Sequence, residues 1–265
     1  MQTSDYTNAN RRAWDQTAPI HAESQLAALL EAFSQPGYSC LDATVTGLLY
    51  KLDVSGKRVA QLCCNNGREL ISIVNLGAAT GTGFDISTVF IDQARQIAAR
   101  AHSPCAFEAT DVYAIAPDHA GHYDLVYISV GALGWLPDLP AFLKVVTTLL
   151  LPGGALLIYE MHPLLDMFDG EDTTDPPPLR HSYFRTEPYV EDDGLDYYTN
   201  QVYDATPTYW FHHTLGDLLQ GCIDQGLQIE HFAEYGHDVS SVFAHFAALR
   251  IKPPLCYTLV ARQPG

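Results

Sequence analysis

VAQLCCNNGRELISIVNLGA, residues Val59 to Ala78, reads as a buried strand, a tight turn and a helix. Val59, Ala60, Leu62, Cys63 and Cys64 form a short apolar run. Asn65-Asn66-Gly67 follows, residue types that tolerate left-handed backbone. Leu70, Ile71, Ile73, Val74 and Leu76 then recur at roughly helical spacing. A turn that opens a helix points free backbone N–H groups outward, a ready site for a polar or anionic ligand.

Outward from this stretch, apolar runs alternate with helical ones. Thr80–Phe84 is a second short strand ending at Asp85, Ser87 caps a helix from about Val89 to Ala101, and Cys105–Ala109 is a third strand ending near Asp111. Tyr123–Ser129 is a fourth, Phe142–Leu150 a helix stopped by LPGG, and Ala155–Glu160 a fifth strand. Upstream, Asn8 to Phe33 reads as helical pieces broken at Pro19. Downstream, Leu215–Gln225 is a helix, and LQIEHFAEY and LCYTLVAR are strands joined by a loop too long for a tight hairpin. Nearly all-apolar strands alternating with helices imply a mostly parallel sheet covered on both faces. The late pair of strands extends it, so the expected fold is α/β and Rossmann-like, with seven strands and an antiparallel last strand.

Residues 162–211 break the pattern. They hold eleven acidic residues against Arg180 and Arg185, a triple proline, and aromatics that include Tyr183, Tyr189, Tyr197, Tyr198 and Trp210. This is too aromatic for a linker and reads as an inserted cap with a small antiparallel piece. Three parts follow: a helical segment over 1–50, a ligand-binding domain formed by 51–161 and 212–265, and the insertion at 162–211.

The chain has 265 residues, 47 % of them hydrophobic, enough for one elaborated α/β domain with a full core. Its formal charge of −17 disfavours nucleic acid and anionic membrane as partners. The six cysteines have no CxxC spacing, which fits neither a zinc site nor a secreted disulfide framework, and no metal is expected. The polar start and the lack of a long apolar run point to a cytoplasmic protein.

In open α/β sheets, ligands bind beyond the carboxyl ends of the strands, where the strand order reverses. The turn Cys63–Gly67, Asp85, Asp111 and Ser129 all fall at such ends. Asp85 stands where nucleotide-binding sheets place an acid that accepts from ribose hydroxyls, and Asp111 can accept from an adenine amino group with Ile86 and Val112 against the ring.

These motifs, in this order, resemble the class I S-adenosylmethionine-dependent methyltransferases, from about Val59 to the C-terminus. VAQLCCNNGRE is similar to the family's first motif, GFDIS to the second, ATDVY to the third, YDLVYIS to the fourth and LLLPGGALLIYE to the strand-five motif. NRRAWDQTAPIH and EMHP resemble a bacterial small-molecule subgroup. The resemblance implies S-adenosylmethionine as cofactor and S-adenosylhomocysteine as product, held by Gln61, Cys63, Asn65, Asn66, Gly67, Asp85, Ile86, Asp111, Val112 and Ser129. It implies an N-terminal segment folded over the cofactor, which makes Trp14 a candidate, with Tyr183 and Tyr197, for the acceptor side. The family's usual first-motif acid is Gln61 here, and its first two glycines are Cys63 and Asn65. Gln61 either weakens cofactor binding or stiffens the turn through amide hydrogen bonds.

The expected activity is methyl transfer to a small-molecule acceptor by a monomer or homodimer. A protein that binds the cofactor without transferring methyl is the alternative, and a dinucleotide oxidoreductase is disfavoured because the turn lacks G-x-G-x-x-G spacing. His162, just past the fifth strand, is the candidate general base, weighed against a role as a strand-end cap.

Overall fold

The computed structural model describes residues 1–199, 201–240 and 242–265. The chain opens with α1 (Thr3–His21), a π-helical turn (Ala22–Leu26), α2 (Ala27–Ala32) and α3 (Ala43–Lys51). An alternating run follows: β1 (Arg58–Leu62), α4 (Arg68–Asn75), β2 (Thr80–Asp85), α5 (Thr88–Arg100), β3 (Cys105–Ala109), β4 (Tyr123–Ile128), α6 (Leu139–Leu149) and β5 (Leu150–Met161). β6 (Tyr189–Glu191) and β7 (Thr208–Trp210) lie in the insertion, and α7 (Leu215–Asp224), β8 (Gln228–Tyr235) and β9 (Cys256–Arg262) close the chain.

Seven strands form one sheet in the order β3-β2-β1-β4-β5-β9-β8. β1 to β5 are mutually parallel, and β9, the last in sequence, runs antiparallel between β5 and β8. Alternate residues of each strand serve opposite faces. Val59, Leu125, Tyr127 and Leu157 pack with α3, α4 and α5 through Leu49, Ile71 and Ile97. Ala60, Val126, Ile128 and Leu156 pack with α6 and α7 through Phe142, Val146 and Leu218. Both faces are covered, which is why the central strands read as continuous apolar runs.

Register decides the site. Leu62 pairs with Phe84 on one side and Ile128 on the other. The next residues, Cys63, Asp85 and Ser129, therefore emerge together at the carboxyl edge. The strand order reverses between β1 and β4, the position where this class of sheet opens a crevice.

Two local expectations are corrected. Pro19 does not break the first helix, because α1 continues to His21 and the chain widens into the π-helical turn only afterwards. A proline inside a helix costs about 3 kcal/mol. Burial of Ala13, Thr17, Ala18 and His21, and the Gln93 amide donating to the Ala18 carbonyl at 2.9 Å, hold the helix in place. LPGG is also not a gap between helix and strand. β5 starts at Leu150, and Pro152 and Gly153 bulge outward where its register with β4 shifts between Tyr123 and Leu125. No helix among the described residues is long and apolar enough to cross a membrane.

Candidate cofactor and acceptor cavity

The turn after β1 takes the left-handed backbone its residues allow: Cys63, Asn65 and Gly67 have φ of 55°, 50° and 71°. Gly67 is the N-cap of α4 and donates its N–H to the Cys64 carbonyl at 2.9 Å. The Asn65 side chain accepts from the Asn66 N–H at 2.8 Å, a short-range bond that stabilises the turn. Burial keeps the thiols of Cys63 and Cys64 protonated, well above their ordinary pKa.

Asp85 ties the turn to the second strand. One carboxylate oxygen accepts from the Asn65 N–H at 2.7 Å and the other from the Ser87 N–H at 2.9 Å. Burial pushes this carboxyl up to about 6, with the two N–H groups pulling the other way. Ser87 caps α5 through the Phe90 N–H and donates its hydroxyl to Asp15 of α1 at 2.7 Å. Asp111 caps the short turn at Val112–Ala114 by accepting from the Tyr113 N–H at 3.0 Å.

Around these groups lies a cavity of about 800 Å³, within the roughly 300–1,000 Å³ that small-molecule sites occupy. Cys63, Asn65, Asn66, Asp85, Ile86, Asp111, Val112 and Ser129 line it, as do Trp14 and Tyr197. Gln61 and Gly67 lie beneath it, with Gln61 only 1 % exposed. The Gln61 amide donates to Glu69 at 2.9 Å and to the Ser129 hydroxyl at 3.1 Å, while its own carbonyl has no partner. Of the two consequences open for Gln61, the amide bonds that stiffen the turn are present. The negative charge absent from position 61 stands instead on Glu69, which lines the cavity beside Arg68.

The three tryptophans of the chain meet here, Trp14 on Trp135 at 5.2 Å and Trp135 on Trp210 at 5.0 Å between ring centroids, all edge-on. Gly134 permits this, since a Cβ there would lie 2.1 Å from the Trp210 ring. α1 and the insertion close the cavity jointly. Asn10 pairs with both backbone groups of Tyr209, and Gln16 bonds the Asp204 carbonyl and the Thr206 N–H. His21 Nε2 donates to the Leu195 carbonyl at 2.9 Å, and the ring packs against Tyr197 and Tyr198.

Two predicted residues fall elsewhere. Tyr183 is outside the cavity; its hydroxyl accepts from the Leu215 N–H and its ring packs on His212. His162 is 5 % exposed and has both ring nitrogens engaged, Nδ1 accepting from the Leu164 N–H at 3.1 Å and Nε2 meeting Glu234 at 2.9 Å. This is the cap arrangement, facing β8 rather than the cavity. Burial lowers its pKa below the ordinary 6.5. The unfolded chain then takes up the proton first, so this histidine withdraws stability as pH falls below about 6.5. His162→Ala is expected to cost roughly 0.5–2 kcal/mol, the loss of a cap, without changing affinity for a ligand in the cavity. An unchanged melting temperature with lost ligand affinity would return His162 to the site.

Sequence reasoning missed Glu160. It is the penultimate residue of β5, is 4 % exposed, and its carboxylate accepts from four backbone N–H groups, those of Gly131, Ala132, Leu133 and Met161, at 2.6–3.2 Å. Burial pushes it up to about 7 against those four donors. It thereby fixes the loop after β4 that forms one cavity wall. A lone acid ending an otherwise apolar strand was the available signal. Arg68 and Glu69 were legible only as the first turn of α4, and Trp135 only through its packing.

Residues 59–154 match the family model for a methyltransferase domain. No curated protein matches the sequence. Among solved structures, an S-adenosylmethionine-dependent methyltransferase from Mesorhizobium loti is 21 % identical with a TM-score of 0.57, covering 83 % of this chain and 98 % of its own. Geranyl diphosphate C-methyltransferase from Streptomyces coelicolor A3(2), in complex with S-adenosylhomocysteine, is 11 % identical with a TM-score of 0.58, covering 83 % and 78 %. The [4+2]-cyclase SpnF is 15 % identical with a TM-score of 0.56, covering 94 % and 96 %.

Proposed function

We propose that this chain, whose residues 59–154 match the family model for a methyltransferase domain, is a class I S-adenosylmethionine-dependent methyltransferase that transfers methyl to a small-molecule acceptor by in-line displacement. Its cofactor is S-adenosylmethionine, which supplies an already activated methyl group on a sulfonium; the C–S bond breaks as the acceptor's bond to carbon forms, and the product is S-adenosylhomocysteine. What remains for the protein is to align, to exclude water and to receive a proton where the acceptor loses one.

One observation carries this reading: Cys63–Asn66 of the turn, Asp85 and Asp111 line one cavity at the reversal of strand order. The lining fits the cofactor. Asp85 is placed for the ribose hydroxyls, and Asp111 with Ile86 and Val112 for adenine. Glu69 and Arg68 are opposite charges at the turn, suited to an ammonium and a carboxylate. The tryptophan faces suit a sulfonium by cation–π attraction. Residues 1–50 act as cover over the cofactor, 51–161 and 212–265 as its binding domain, and 162–211 as the acceptor cap, supported by the Asn10 and Gln16 bonds between α1 and the insertion. The charge of −17 argues against nucleic-acid acceptors and suits a cytoplasmic monomer or homodimer.

A second reading, binding without transfer, is favoured by Gln61 in place of the usual acid and by a fold that the [4+2]-cyclase shares. Incubation with methyl-labelled S-adenosylmethionine and a small-molecule cell extract separates the two. Transfer predicts label in an organic product and stoichiometric S-adenosylhomocysteine. Tight S-adenosylhomocysteine binding with no labelled product in any extract would favour the second reading.

A further inference from the structure

The cavity extends well past the residues assigned to the cofactor, along the insertion and the segment after β5. β6 and β7 make its far wall. Tyr189 and Trp210 are paired across this ribbon, Glu191 lies two residues on from Tyr189 and so on the same face, and all three line the cavity. Val190, on the opposite face, is 60 % exposed. Phe168 and Phe243 complete an aromatic surround.

The charge within that surround is one-sided. Asp166, Asp169 and Glu191 line it. Asp166 is held by His212, whose Nδ1 lies 2.8 Å from its carboxylate and whose side chain is 1 % exposed, with Nε2 lacking any hydrogen-bond partner. Among the described residues the Asp169 carboxylate accepts only from the Glu171 N–H. The Glu191 carboxylate has no hydrogen-bond or ion-pair partner among the described residues. The nearby cations are committed elsewhere. Arg180, at the cavity edge, pairs with Asp172 at 3.0 Å, and Arg185 donates to the carbonyls of Glu187 and Pro188 and stacks over Tyr189. His181 lines the cavity with its ring on Tyr189.

We infer that the acceptor is an organic amine on an aromatic or apolar body, its body between Tyr189 and Trp210 and its ammonium facing Glu191 and Asp166. An ammonium supplies the partner Glu191 lacks, and the Trp210 ring adds cation–π attraction. An anionic acceptor would bring like charge against three carboxylates. Glu191 is exposed to solvent, yet desolvation by the surrounding walls raises its carboxyl, and Asp193 and Asp166 raise it further, which an adjacent ammonium would reverse. The inference rests on the methyltransferase reading only in calling this ligand the acceptor.

The test uses three probes of similar shape, 2-phenylethylamine, 2-phenylethanol and 3-phenylpropionate, titrated into the whole protein with and without saturating S-adenosylhomocysteine. The amine is expected to bind at least about tenfold tighter than the alcohol, equivalent to about 1.4 kcal/mol, and the carboxylate weakest. Glu191→Gln, and separately Asp166→Asn, should reduce the amine's advantage while leaving the alcohol unchanged. Equal binding of the three probes, no binding of the amine, or an amine preference that survives both substitutions would overturn the inference. S-adenosylhomocysteine binding without an amine preference sinks the acceptor class alone. An amine preference in a protein that does not bind S-adenosylhomocysteine leaves the amine site standing and removes the methyltransferase reading.

Discussion

Gly67→Ala is expected to remove cofactor binding and to lower the melting temperature by several degrees. Gly67 has φ of 71°, where a side chain is strained, and a Cβ there would lie 2.3 Å from Phe107 Cε1 and 3.0 Å from the Ala94 Cβ. Phe107 is 5 % exposed and Ala94 is fully buried, so neither can move aside freely. Overpacking costs roughly 1–3 kcal/mol and a left-handed non-glycine residue about 1–2 kcal/mol more. At about 2–4 °C per kcal/mol for a domain of this size, the fall should be about 4–20 °C. The N-terminus of α4 would shift with the residue, and with it the turn beneath the cofactor. Differential scanning calorimetry and S-adenosylhomocysteine titration on the same sample check this. A variant with both values unchanged would show that the turn tolerates a side chain and that its geometry is not what the site depends on.

Asp85→Ala should weaken S-adenosylhomocysteine binding by roughly 1.5–3 kcal/mol, the range for hydrogen bonds to a charged group. The substitution also strips the acceptor from the Asn65 and Ser87 N–H groups, so part of the loss comes through the turn. Asp85→Asn separates the two routes. It keeps one acceptor for a backbone N–H but loses the charge. A pH dependence follows. Burial holds the Asp85 carboxyl up at about 6, above the ordinary 3.8. Between those values the folded protein keeps a proton the unfolded chain has released, so Asp85 withdraws stability as pH rises through that window. Ribose hydroxyls donating to Asp85 favour its ionised form, so cofactor affinity should rise as pH rises through about 6 and level off above it. Titrations at about pH 5 and about pH 7 that agree in wild type would take Asp85 out of direct contact with the ligand.

The sheet and the carboxyl-edge residues were legible because strand ends are local events. An apolar run stopping at Leu62, Phe84 or Ile128 marks the edge, and parallel register then brings Cys63, Asp85 and Ser129 together. Pro19 and LPGG were misread for the converse reason. Local propensity broke the chain at both places, but burial around Ala18 and the pairing of β5 across a bulge outweigh it. The direction of a loop side chain is not in its neighbours' identities. His162 and Tyr183 stand beside the site in sequence but turn toward Glu234 and His212. Gln61 looked like a lost charge because its partner Glu69, on the next helix, meets it only once α4 lies across β1. Glu160 and Trp135 needed the folded chain for the same reason: what they meet is distant in sequence.

The most direct measurement is calorimetric titration of the wild-type protein with S-adenosylhomocysteine. The account predicts saturable binding of one ligand per chain, weakened in Asp85→Ala and absent in Gly67→Ala. A wild-type protein that melts cooperatively, and is therefore folded, yet produces no binding isotherm would contradict it.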